Sequence, residues 1–215
     1  MAPLPLPLRN RLAELILEAF EPGEARATVL ALARASGSDE CTMDAADAER
    51  LLALGWFEAA TPGQIRLRGA HLAHGSSLAE RASRAASAVR DWRDRYREGL
   101  VRFLDRAAAL ANQGLYFEVH ELLEPVWFRA AEPERTALQG LIQVAVAFHH
   151  LENGNREGAR SLLALGVAKL AEAGSTLPLS TRGWLDDLRP VLASLARGED
   201  PPPAPRWPAP TESTS

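Results

Sequence analysis

Apolar residues recur at steps of three and four along most of the chain, a period that predicts a protein built mainly from helices. The first two runs cover about residues 9–20 and 24–35, divided by the breaker Pro22-Gly23. A third covers about residues 44–54 and stops at Gly55, a residue type that readily closes a helix. Trp56-Phe57 and then Ile65 and Leu67 alternate with polar residues around Pro62-Gly63. That two-step pattern predicts a hairpin, with the only expected strands near residues 56–59 and 64–68. From Leu78 the helical period returns. Val89, Trp92, Tyr96, Leu100, Phe103, Ala107 and Leu110 mark one long amphipathic helix, broken at Gln113-Gly114. Further helices are expected over about residues 116–130, with a bend at Pro125, and from Pro133 to about residue 152. Two more cover about residues 155–173 and a stretch from about Thr181 that is kinked at Pro190.

Three helices and a hairpin resemble a winged-helix module. The expected organisation is therefore a winged-helix-like module over residues 1–75, with a joint at residues 71–77, followed by an antiparallel helical bundle without strands over residues 78–198. Residues 199–215, EDPPPAPRWPAPTESTS, combine many prolines with few apolar side chains and predict a disordered tail.

Composition narrows the function more than the fold. With 47% hydrophobic and 24% charged residues, the 215-residue chain is an ordinary soluble type. A net charge of -4 argues against a broad nucleic-acid footprint. Residues 1–75 hold seven arginines against ten acids, and the helix that would read DNA carries Asp44, Asp47 and Glu49 against Arg50. The expected partner is thus a protein or a second copy of the chain, and not nucleic acid. The single Cys41 excludes an internal disulfide and a cysteine-cluster zinc site. No apolar run approaches the roughly 20 residues of a membrane span, and MAPLPLPLRN lacks the order of a signal peptide. A cytoplasmic protein without a membrane partner is expected.

The chemistry concentrates in GLYFEVHELLEPVW, residues 114–127. Phe117, His120, Glu124 and Trp127 form one stripe beside an apolar stripe of Leu115, Val119, Leu122 and Val126. A histidine and a carboxylate set against a packing face need a reason to be there. In the next helix Leu138, Leu141, Ile142, Ala145, Phe148 and His149 are apolar in pattern, with Gln139, Gln143 and His150 alongside. A hairpin turning near residue 131 levels Glu124 with Gln139 and His120 with Gln143.

Three uses of this constellation stay open. His120 and Glu124 can reach one divalent metal ion, with His149 or His150 as a third ligand. Trp127, Gln139, Gln143, His149 and His150 can line a small-ligand or cofactor site. The same groups can instead form a hydrogen-bond network that sets the hairpin's register. Hydrolysis is the weakest reading: His120-Glu121 opens like HExxH, yet Glu124 stands where the second histidine belongs. There is no Glu-x-x-His pair for a di-iron centre, no phosphate-cradling glycine loop, no GxSxG elbow and no dinucleotide fingerprint. Glu118 and Glu121 are expected in solvent, His71 and His74 lack partners in pattern, and Trp92 and Tyr96 have core spacing. The arginines between Arg81 and Arg106 are expected on a solvated face.

The runs YFEVHELLEPVW and LQGLIQVAVAFHHLENGN resemble the bacterial and archaeal domain of unknown function 309 family, over about residues 96–170. That family's motif is a histidine, three residues, a glutamate, two residues, then Trp or Tyr; here these are His120, Glu124 and Trp127. The GLIQ, HH and GN signatures follow in order. The resemblance implies an all-helical domain with its site at the motif, and raises metal binding there as one use. It implies no particular reaction, and the winged-helix-like segment lies outside it.

Overall fold

A computed structural model describes residues 4–35, 40–61, 64–92 and 98–211. Helix α1 (Leu6–Glu18) opens behind Pro5 and buries Leu8, Leu12, Leu15 and Ile16, the stripe its spacing dictates. Helix α2 (Glu24–Ala35) buries Val29, Ala31 and Leu32. Helix α3 (Ala45–Ala53) starts at Asp44, whose carboxylate accepts a hydrogen bond from the Asp47 backbone N–H at 2.8 Å and so caps the first turn.

Strands β2 (Phe57–Thr61) and β3 (Gln64–Leu67) form the expected hairpin. A third strand, β1 (Glu40–Thr42), pairs antiparallel with β3, so the sheet order is β1-β3-β2 and the hairpin is not the only β-structure. Three residues are too few to show alternation, and β1 exists because β3 offers it a free edge.

Helix α4 (Gly75–Asp91) corrects two expectations. It packs on α2, Arg26 donates to the Val89 carbonyl at 2.9 Å, and Trp92 meets Phe20 edge to face with ring centroids 5.4 Å apart. The chain accordingly divides into compact units Met1–Arg93 and Asp94–Ser215, and the expected joint at residues 71–77 is a short 3-10 turn, Gly69–His74, leading straight into α4. The single long helix through residues 89–110 is also two: α4 ends at Asp91, and α5 (Gly99–Ala111) begins at Gly99 with φ at 56°. Gly99 opens α5 from the left-handed region and so sets a phase of its own, and Phe103, expected in the apolar stripe, is 36% exposed. Tyr96 lies outside the described residues.

The second unit continues through α6 (Tyr116–Arg129), α7 (Glu134–Glu152), α8 (Arg156–Ala173) and α9 (Thr181–Ala196), each packed on the one before. Helices α6 and α9 run through Pro125 and Pro190, both of which face solvent. The closest packing is α7 on α8, where small residues let the backbones meet. A Cβ built on Gly140 would stand 2.8 Å from Leu170 Cγ and 3.1 Å from the Gly166 carbonyl oxygen; one on Gly166 would stand 2.8 Å from Val144 Cγ2. Asn155 caps α8, its side-chain oxygen accepting from the Gly158 N–H at 2.9 Å. Among the described residues no helix is long and apolar enough to cross a membrane.

The proline-rich segment expected to be disordered is bound to this unit over residues 199–211. Trp207 is 4% exposed, with its ring 4.9 Å from that of Trp184. The Trp207 backbone N–H donates to Asn112 Oδ1 at 2.8 Å, and the Thr211 backbone N–H donates to the Pro178 carbonyl at 2.9 Å. The segment orders despite its composition because proline has little conformational freedom to lose and one indole buries a large apolar area.

Candidate functional site

Gly114, at φ 69°, turns the chain out of α5 so that α6 starts with Tyr116 and Val119 packed inward. Three contacts set how α6 lies along α7. Tyr116 stacks on Phe148 with centroids 5.3 Å apart, the Phe117 ring is 5.8 Å from that of His149, and the Arg135 guanidinium sits 5.2 Å above the Trp127 ring.

The motif stripe flanks the buried face of α6. The His120 side chain is 28% exposed and that of Glu124 is 54% exposed. His120 Nδ1 hydrogen-bonds Glu121 Oε1 at 3.0 Å, whereas its Nε2 is 4.0 Å from Glu124 Oε1, at the limit of an ion pair. Glu121 is therefore the histidine's nearer carboxylate and is half-buried, not free in solvent as expected. The stronger correction is Glu118, which is 0% exposed. Arg106 of α5 is buried as well, although the arginines up to it were expected on a solvated face. No periodicity signalled either residue.

The other candidates are distributed around the hairpin. Gln139 and Gln143 of α7 are half-buried. Gln143 Oε1 and Trp127 Nε1 are both enclosed, and neither has a hydrogen-bond partner among the described residues. His149 packs its ring on Phe117. His150 turns to the end of α7, where the Asn155 amide donates to its Nδ1 at 3.0 Å. It thereby joins the turn into α8.

Taken as metal ligands, these residues are too few. His120 and Glu124 give two donors, His150 is engaged with Asn155, and no three His, Cys, Asp or Glu side chains among the described residues come together to hold an ion. Three protein ligands are the usual minimum for a catalytic zinc and four for a structural one. Taken as a hydrogen-bond network, the constellation leaves an enclosed indole N–H and an enclosed amide oxygen without partners among the described residues, as Trp184 and Trp207 also leave their indole N–H groups.

The family described as Domain of unknown function (DUF309) matches residues 104–162, which span most of α5, all of α6 and α7, and the first turns of α8. The match contains the whole His120, Glu124, Trp127 motif. No curated protein and no solved structure matches the chain.

Proposed function

We propose that this chain, which carries a domain of the DUF309 family over residues 104–162, is a small-ligand binding protein whose site is the half-buried face shared by α6 and α7. The supporting observation is the pair of enclosed polar atoms without partners, the Trp127 N–H donor on α6 and the Gln143 carbonyl acceptor on α7. Each costs about 1–3 kcal/mol if left unsatisfied. A ligand bearing one acceptor and one donor removes that cost, while Glu124 and His120 at the edge bind a positive or titratable group on it. A ligand can also complete an ion site that His120 and Glu124 only begin, by bringing its own donor atoms.

Near-isosteric substitutions separate this role from an architectural one. Gln143→Met removes the acceptor with little change of shape, whereas Trp127→Phe removes the donor together with one ring of the indole, so unfolding is compared for Gln143→Met and bound content for both. A binding site predicts that Gln143→Met unfolds at or above the wild-type temperature, and that both variants lose any small molecule or ion found on the wild-type protein by native mass spectrometry and elemental analysis. A loss of about 1–3 kcal/mol in stability with unchanged bound content would return the constellation to architecture.

For the first unit, the element order α1, α2, β1, α3, β2, β3 supports the winged-helix-like reading. Its charges support a protein partner over DNA. Asp44 serves as a cap, Asp47 is buried between Arg34 and Arg50, and Arg50 also pairs with Glu24 at 2.6 Å, so α3 has no free cation for a phosphate. A lone cysteine fits a reducing, cytoplasmic setting.

A further inference from the structure

The proline-rich segment is held in a way that points beyond packing. Within residues 199–211, Trp207 and Pro210 are buried while Arg206 and Ala209 are exposed, so the segment is anchored at two residues near its end. The surface that receives it is aromatic and small: Trp184 of α9 lies under Trp207, and Leu179 forms an antiparallel bridge with Pro210. Asn112, at the C-terminal end of α5, contacts the segment's backbone. Its Oδ1 accepts from the Trp207 N–H at 2.8 Å and its amide donates to the Trp207 carbonyl at 3.4 Å. Arg156 closes the other end on Asp200 at 2.8 Å and on the Glu199 carbonyl.

These are the parts of a peptide-recognition site. An aromatic platform takes a preformed proline-rich strand, one amide side chain pairs with both backbone groups of the anchor residue whatever its side chain, and a single large ring supplies the affinity. Proline-rich peptides lose little freedom on binding, which favours a site of few contacts. We infer that the surface formed by Asn112, Pro178, Leu179 and Trp184 is a binding site for an extended proline-rich segment with a tryptophan anchor. Its resident occupant is residues 199–211 of the same chain, and the site accepts the same segment from a second copy once its own is released.

The test uses a fluorescent peptide of residues 199–211 and full-length protein, read by anisotropy. An attached segment competes at a local concentration in the millimolar range, so micromolar peptide leaves the wild-type chain unlabelled. Full-length Trp207→Ala releases its own segment and binds the peptide saturably, at least about tenfold more tightly than wild type does; a peptide carrying the same Trp207→Ala change does not bind. If the variant is folded by circular dichroism and still fails to bind, or binds both peptides equally, the inference is wrong. Should the variant not fold, a protease site inserted between Gly198 and Glu199 serves instead. After cleavage the segment co-elutes with the protein and is exchanged by excess unlabelled peptide. A segment that dissociates on cleavage and does not rebind would equally overturn the proposal.

Discussion

At Glu118 the helical period and the chemistry part company. Sequence periodicity assigns faces by supposing that charges seek water, yet this carboxylate is wholly enclosed on α6, and the neighbouring helix α5 encloses Arg106. Buried charges are kept in pairs or networks, because an isolated one is too costly. Glu118→Ala is therefore expected to lose about 3–5 kcal/mol of unfolding free energy, the usual result of leaving one buried charge behind. Denaturant titrations of Glu118→Ala, Arg106→Met and the double variant should give a double-mutant loss smaller than the two single losses together; additive losses would show that the two charges are satisfied separately. Glu132 is the opposite kind of acid, exposed and held by a local bond. The Thr136 hydroxyl donates to it at 2.6 Å and keeps its carboxyl below the ordinary carboxylate range. A depressed carboxyl stabilises the fold above its unfolded value of about 4.3, and that contribution disappears as pH falls through the lower folded value. Thr136→Val should move the Glu132 midpoint upward in an NMR titration, and an unmoved midpoint would assign the shift elsewhere.

Elements were legible where a segment's own residues decide its structure. α1, α2, α3 and α6 to α9 follow from apolar spacing, caps and breakers, and the motif on α6 was found because histidine, glutamate and tryptophan share that spacing. Two features depend on partners and so escaped. β1 is a strand only because β3 is beside it, and the division of α4 from α5 was hidden by an apolar spacing that continues across it. Contact between elements also explains the glycines of α7 and α8. By helix propensity alone Gly→Ala is favourable by about 1 kcal/mol. At Gly140 the added methyl would meet Leu170 and the Gly166 backbone, so Gly140→Ala is expected to destabilise by about 1–3 kcal/mol. Gly183 on α9 has nothing within 4 Å of such a methyl, and Gly183→Ala should be neutral or stabilising. Thermal unfolding of both variants decides the matter, and equal effects would deny that α7 and α8 need the close approach.

For the whole molecule, charge and fold outline point different ways, and the structure modifies the charge argument without reversing it. Asp47 is not presented to solvent as the sequence count supposed, but Arg50 and Arg34, which neutralise it, are occupied too. With a net charge of -4, duplex DNA should bind no better than the roughly 10⁻⁴–10⁻⁶ M of non-specific association. Salt-sensitive anisotropy changes at micromolar protein would contradict this. The proline-rich segment was the least legible part at this scale, because its anchoring surface is assembled from α5 and α9, which its own composition does not encode.

That segment also sets an order of events during synthesis. Asn112 and Trp207 are 95 residues apart, so α5 through α9 leave the ribosome ahead of the indole that covers Trp184. Domains fold as they emerge, and apolar surface exposed meanwhile is what chaperones and proteases detect. A nascent chain cut short ahead of Trp207 therefore displays an uncovered tryptophan face on an otherwise finished helical unit, and arrival of the Pro-Arg-Trp-Pro sequence removes that mark of incompleteness.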